Sequence, residues 1–272
     1  MAVHEAPVYV AGINKLFVGV LEQGYLPQLV VDLNQDPPAL SEFESDAPVY
    51  APNGGTYHGD LVHWGAGGGN SSIGGTEQRP GIRVLDPTSN KTTTLLNNYF
   101  GFYFNGLDDL FVDSHGDIWF ADPDYAWNGN RTDTTPQLHA QTYRFPSFPP
   151  VNSGWLKIHS VNPMVSPSPL MPENVYICDT IAGISGTISP HYPNIHSLPC
   201  NQTAKQTVYR YDIVDADTAP ALINKRPFYY SQEWVPGGVN VAANGFVVAG
   251  VGMGMGVDVI DRTGSLVLQI RT

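Results

Sequence analysis

Along the chain, a turn residue followed by a short apolar run recurs five times. The copies read NKLFVGV from Asn14, GDLVHWG from Gly59, GDIWFAD from Gly116, ENVYICD from Glu173 and NGFVVAG from Asn244. A second pattern follows each copy, alternates apolar with polar positions and often ends in Asp: QLVVDLNQD, GIRVLDPTSN, TYRFPSF, VYRYDIVDAD and VDVIDRTGS. Runs of this length bounded by Gly, Asn, Asp and Pro predict strands, and strict alternation predicts a strand with one buried face. Stretches with 3.6-residue periodicity are absent, and the prolines would interrupt most candidate helices. The two patterns take turns at intervals of roughly 45 to 70 residues, which is the spacing of propeller blades. A β-sandwich would repeat its strands every 8 to 12 residues or so, without a two-part super-period. The expectation is an all-β chain forming a single β-propeller domain over residues 1–272, with five blades evident and GDIWFAD an inner strand of its blade. Adjacent blades bury each other's apolar faces, so no blade is stable alone.

Composition narrows the function. The formal net charge is -12 with only 14% charged residues, so the acidity reflects scarce Lys and Arg rather than acidic runs. Such a surface repels a phosphate backbone and an anionic membrane, which argues against nucleic acid and lipid as partners. No apolar run approaches the roughly 18 residues of a membrane helix. The opening MAVHEAPVYVAGINK shows no charged leader with an apolar core, so the chain as it stands is expected to be cytoplasmic, or secreted if a segment precedes it. Cys178 and Cys200 form a disulfide only in an oxidising compartment, and the sequons at Asn70, Asn90, Asn130 and Asn201 leave glycosylation open. GAGGGN and GVGMGMG do not sit as strand-to-helix phosphate turns, there is no Gly-x-Ser-x-Gly elbow, and zinc-type Cys and His spacings are missing.

The densest chemistry lies in LDDLFVDSHGDIWFADPDYAW, Leu107 to Trp127, which carries Asp108, Asp109, Asp113, Asp117, Asp122 and Asp124. Most of these aspartates fit the entry and exit turns of a strand.

The segments HEAPVYV followed by NKLFV, GGNSSIGGTEQRPGI, LLNNYFGFYFNGLDDL, GDIWFADPDYAW and WVPGGVNVAANGFVVAG resemble the gluconolactonase and senescence-marker-protein family, nearest to its fungal lactonohydrolases. The likeness runs from about Glu5 to Thr272. It implies a six-bladed propeller that holds a divalent cation, commonly calcium, and opens lactones or related esters of a small molecule. It also implies one strand group before HEAP and another after LQIRT, which together build the closing blade; here that blade is incomplete. A monomer is expected.

The resemblance assigns residues. Glu5 matches the first metal-binding carboxylate. Asp108 stands where the family has an Asn facing metal or substrate, and Asp109 stands where it has an Asp that braces the loop or meets substrate. Asn162 best matches an Asn ligand of a PNG segment, although Pro163 replaces the glycine. Gly237, in Pro236-Gly237-Gly238, takes the place of the Asp that serves as ligand and base. The site is therefore expected to be partly degraded, since it lacks one carboxylate and its usual proton acceptor. His4 and His58 are the substitute catalytic groups that the sequence offers, alongside Asp108. Arg79 is a candidate for holding a carboxylate or polarised carbonyl, or else a loop brace through Glu77. Tyr57 is a candidate substrate contact. On a competing reading, a metal-independent cyclase or isomerase, Tyr57, Trp64, Phe104 and Trp234 would line the cavity; a further one is a non-catalytic binding propeller or an inactive fragment.

Overall fold

Five four-stranded antiparallel sheets follow one another, each running in chain order from its first strand to its fourth. The computed structural model describes residues 5–69, 72–73, 78–113, 115–146, 156–159, 163–168, 171–180, 205–216, 219–231, 235–251 and 256–271. The first sheet comprises β1 (Glu5–Val10), β2 (Lys15–Gly19), β3 (Gln28–Asp32) and β4 (Ala39–Phe43). The second comprises β5 (Pro52–His58), β6 (Leu61–Ala66), β7 (Gly81–Asp86) and β8 (Lys91–Leu96), followed by the two-residue strands β9 (Asn98–Tyr99) and β10 (Phe102–Tyr103). The third has β11 (Leu110–Val112), β12 (Ile118–Asp122), β13 (Gln141–Phe145) and β14 (Leu156–His159), with one helical turn, α1 (Tyr125–Asn128), after β12. The fourth has β15 (Pro163–Ser168), β16 (Met171–Asp179), β17 (Thr207–Ala216) and β18 (Ala219–Tyr230), and the fifth β19 (Pro236–Val241), β20 (Val247–Val251), β21 (Gly256–Ile260) and β22 (Leu266–Arg271). This is the five-blade β-propeller arrangement expected from the sequence, and no sixth blade is seen among the described residues. None of the described helices is long and apolar enough to cross a membrane.

The two sequence patterns are the second and third strands of every sheet. GDIWFAD therefore contains a second strand, which corrects its reading as an inner one. The first strands pack against one another, β1 on β5, β5 on β11 and β15 on β19, so they are the inner ones. Burial explains why they escaped notice. In β12 every residue is buried and in β6 all but the first, whereas β4, β8 and β22 are largely exposed. The apolar signal thus peaks at the second strand, while the first strands carry Pro and Gly.

Two compact units make up the chain, residues 1–112 with 120–140, and residues 113–119 with 141–272. In the first, Ala6, Val8 and Val10 of β1 pack with Phe17, Val30, Val62, Trp64 and Leu85, so the first two sheets close face to face. In the second, Tyr176, Cys178 and Val208 pack with Tyr229, Val239, Val247 and Ile260 of the fourth and fifth sheets. Each buried aliphatic or aromatic side chain of this kind contributes roughly 1.5–3 kcal/mol, and neither face finds that burial alone.

Aspartates at the end of β3 and β7 and just past β21 are turn caps. Asp32 accepts the Asn34 amide at 3.0 Å, Asp86 the Thr88 amide at 2.8 Å and Asp261 the Thr263 amide at 2.8 Å. The Asn34 backbone beside Asp32, the Ser89 hydroxyl beside Asp86 and the Thr263 hydroxyl beside Asp261 hold these carboxyls below the ordinary range. Asp113 does the same before β12, accepting the His115 and Asp117 amides and Trp119 Nε1 at 2.9, 3.0 and 2.9 Å. Asp117 is bound by the Arg144 guanidinium through Nε at 2.8 Å.

Candidate active site around Asn53 and Asp108

Three first strands open with the same irregularity. The pairing jumps from Glu5–Gly19 to Val8–Phe17 in β1, from Pro52–Ala66 to Gly54–Gly65 in β5, and from Pro236–Val251 to Val239–Ala249 in β19. Each jump is a β-bulge, in which one residue more on the first strand faces its partner. Bulges bend a strand and re-aim the side chain that they carry, often beside an active site. In β5 the extra residue is Asn53.

Asn53 is 3% exposed, and its Nδ2 donates to Oδ1 of Asp108 at 2.5 Å. Asp108 is fully buried. Its backbone lies directly on the glycines of the second sheet. A Cβ on Gly54 would come within 2.4 Å of the Asp108 carbonyl oxygen and 2.6 Å of the Asp109 Cα, and a Cβ on Gly65 within 2.5 Å of that oxygen. No side chain fits at either position without moving backbone. Two bonds to Ala121 fix the same segment, Asp108 N to its oxygen and its amide to the Asp109 oxygen, both 3.0 Å.

Asp109 differs from its neighbour in exposure. It is half-buried, and desolvation pushes its carboxyl up to about 7. A carboxyl that titrates near neutrality is a competent proton acceptor at neutral pH. Asp122, fully buried at the end of β12, is also pushed to about 7 by burial, against the pull of the Gly106 and Asn105 amides that its Oδ1 accepts at 2.9 and 2.8 Å.

Several sequence candidates lie elsewhere. His58 is exposed and Tyr57 half-buried at the hairpin end of β5, where the Tyr57 hydroxyl donates to Asp60 at 3.1 Å. Asn53 opens the same strand, so the strand's length, on the order of 17 Å, separates it from His58. Arg79 braces a loop through Asp133 and Thr134, with its guanidinium 5.0 Å from the centre of the Tyr103 ring, and Glu77 lies outside the described residues. Trp64 and Phe104 are core residues, each 2% exposed, and Phe104 meets the Phe120 ring edge-on at 5.3 Å. His4, Asn162, Trp234 and Cys200 lie outside the described residues, as does the Glu5 side chain.

A hard cation such as calcium takes about six to eight oxygen ligands, several of them carboxylate. Among the described residues no group of three His, Cys, Asp or Glu side chains is placed to hold a metal ion. Gly237 supplies no donor, and a Cβ there would meet only the Gly250 carbonyl, at 3.5 Å. The described residues therefore do not fit a complete cation shell.

Sequence reading passed over Asn53 and Asp122. Asn53 had a visible signal: Pro52-Asn53-Gly54 is itself a PNG triplet, immediately ahead of the Gly-Thr-Tyr-His run that ends in His58. Asp122 had none, because a buried backbone-holding carboxylate reads like any Asp that ends a strand.

No family model matches the chain. It is 41% identical to lactonohydrolase oryL of Aspergillus oryzae over 99% of its own length, and 33% identical to lactonohydrolase oryH of the same organism over 99%. It spans 61% and 68% of the lengths of those two relatives. Among solved structures it superposes on a gluconolactonase of Xanthomonas campestris with a TM-score of 0.71 at 22% identity, covering 98% of this chain and 75% of that one. A calcium-binding regucalcin of Agrobacterium tumefaciens gives a TM-score of 0.63 at 12% identity, covering 100% of this chain and 75% of that one. These superpositions show a shared fold. With 33% identity across two thirds of the second relative's length, the chain belongs to the lactonohydrolase family.

Proposed function

We propose that this protein hydrolyses a lactone or related cyclic ester of a small molecule. Kinship with two named lactonohydrolases across nearly all of the chain carries the reading. The segment Asn105–Asp109 supports it, since it presents a half-buried carboxyl with a near-neutral pKa beside a buried, amide-held one.

The chemistry asks for little. As a carboxylate, Asp109 takes a proton from a water molecule whose oxygen attacks the ring carbonyl carbon. Collapse of the tetrahedral adduct breaks the ring C–O bond, and Asp109 returns its proton to the alkoxide that leaves. Asp108, held by Asn53, keeps the segment in register.

A divalent cation, calcium by analogy with the regucalcin neighbour, belongs to this reading as an expectation. Glu5, Asp108 and Asn162 are the oxygen donors that the sequence offers it, and it would supply polarisation of the carbonyl. With Gly237 bare we read that site as partly degraded and assign no step to it. Fungal secondary or sugar-acid metabolism is the setting we propose.

The test is acid release in a pH-stat from a panel of five- and six-membered lactones, with calcium or with chelator. Ring opening above the uncatalysed rate supports the reading, and none from any lactone overturns it. A calcium-dependent rise in Tm would support a bound cation, since a ligand selective for the folded state must stabilise it. An unchanged Tm removes the cation and leaves the hydrolase.

A further inference from the structure

The end of β12 holds the candidate segment at two places. Ala121 exchanges backbone bonds with Asp108 and Asp109, as described above. The next residue, Asp122, grips the segment's other end with a side chain, and one oxygen, Oδ1, receives the amides of both Asn105 and Gly106. Two donors on one oxygen call for an acceptor with two lone pairs and no competing proton. Asn105 then passes the restraint outward. Its Nδ2 donates to the Leu138 carbonyl at 2.9 Å, while its Oδ1 accepts the Gln137 and Leu138 amides at 3.2 and 3.3 Å. Gly106 leaves no slack, because its φ is 156° and a Cβ would come within 2.7 Å of the Ala126 Cβ.

The second oxygen is informative. Asp122 Oδ2 is buried and has no hydrogen-bond partner among the described residues. Burying an unsatisfied carboxylate oxygen is costly, so the position is not explained by stability alone. An apolar residue would avoid the cost, but it would free the Asn105 and Gly106 amides and the segment that they anchor.

We infer that Asp122 is a positioning residue for lactone hydrolysis: its carboxylate sets the backbone of Asn105 and Gly106 and thereby the placement of Asp108 and Asp109. The inference rests on the hydrolase reading above. Asp122 has no part in the bond-making steps. It acts by holding the reacting groups near their productive geometry, where a displacement of about 1 Å costs on the order of 100-fold in rate.

The experiment compares wild type, D122A and D122N by amide hydrogen exchange and by steady-state lactone opening, with folding checked by circular dichroism. D122A is expected to expose the Asn105 and Gly106 amides to exchange at least tenfold faster and to lower kcat by about 10- to 100-fold with KM within about threefold. D122N restores an acceptor at Oδ1 and is expected to recover kcat to within about fivefold of wild type. A folded D122A with wild-type kcat overturns the inference and leaves the hydrolase reading standing. A wild-type protein that opens no lactone overturns both. Should D122A not fold, D122N decides alone: protection lost at Asn105 and Gly106 with unchanged kcat contradicts the inference, and both retained supports it.

Discussion

Two first strands of this protein start alike and end up chemically opposite. Pro52-Asn53-Gly54 in β5 and Pro236-Gly237-Gly238 in β19 each begin with a proline paired to the last residue of the next strand, and each continues through a bulge. In β5 the bulge carries an amide that holds a buried carboxylate, and the adjoining glycine is pressed against backbone. In β19 the position is bare and has room around it. The bulge therefore belongs to the scaffold, whereas the chemistry depends on which side chain the bulge carries. A first strand can display a bare glycine at its bulge and keep the same shape, because the bulge is maintained by pairing and not by the side chain that it displays.

Substitutions in and around the two bulges test this contrast. The largest effect is expected from D108A, which removes the buried carboxylate and strands the Asn53 amide; lactone opening in the pH-stat should fall by about 100-fold or more, with a loss of roughly 1–3 kcal/mol in urea unfolding. A D108A that unfolds like wild type would show that the pair carries no strain when broken. Next comes G54A. Its Cβ has to displace the Asp108 and Asp109 backbone, so a loss of about 1–3 kcal/mol is expected, with a fall in kcat. A neutral result would mean that the close approach is not real.

A pH dependence follows from the half-buried Asp109 carboxyl. On the proposed reading Asp109 acts as base once ionised, so the rate should rise about tenfold from pH 6 to pH 8 through an apparent pKa near 7, and D109N should remove that rise. A flat wild-type profile excludes Asp109 as the base. Stability runs the other way. The folded-state pKa of Asp122 stands near 7, against 3.8 for the ordinary group, so folding favours its protonated form. That advantage is fully present below pH 4 or so and is lost as pH rises through about 7. Tm should therefore fall between pH 5 and pH 8, and less so in D122N; an equal fall in both would assign the effect elsewhere. The smallest effect is G237A, expected within about 0.5 kcal/mol and without change in activity, because its Cβ has room. A cost as large as that of G54A would dissolve the contrast between the two strands.

What the sequence revealed follows burial. Strands such as Ile118–Asp122 and Leu61–Ala66 are buried nearly throughout, and their apolar runs made the repeat visible. Third strands were legible through their alternation and through the capping aspartates Asp32, Asp86 and Asp261, which turn chemistry demands at those ends. First strands were not, since bulges, Pro and Gly erase the period-two signal where the site is built. Asp108 was legible from its segment's family likeness. Its partner Asn53 was not, because the contact joins positions 55 residues apart across two sheets. The accessibility of the two adjacent aspartates, one buried and one half-exposed, depends on how their segment lies on Gly54 and Gly65, which no local pattern encodes.

On the proposed function the Asn53–Asp108 pair supports lactone hydrolysis, and N53A is the decisive variant. The variant removes the amide and leaves Asp108 in place. Lactone opening by folded wild type and N53A, followed by acid release at pH 8, is predicted to show kcat/KM lower by about 10- to 100-fold in N53A, on the scale of one lost positioning contact. Equal kcat/KM in the two folded proteins would contradict the claim.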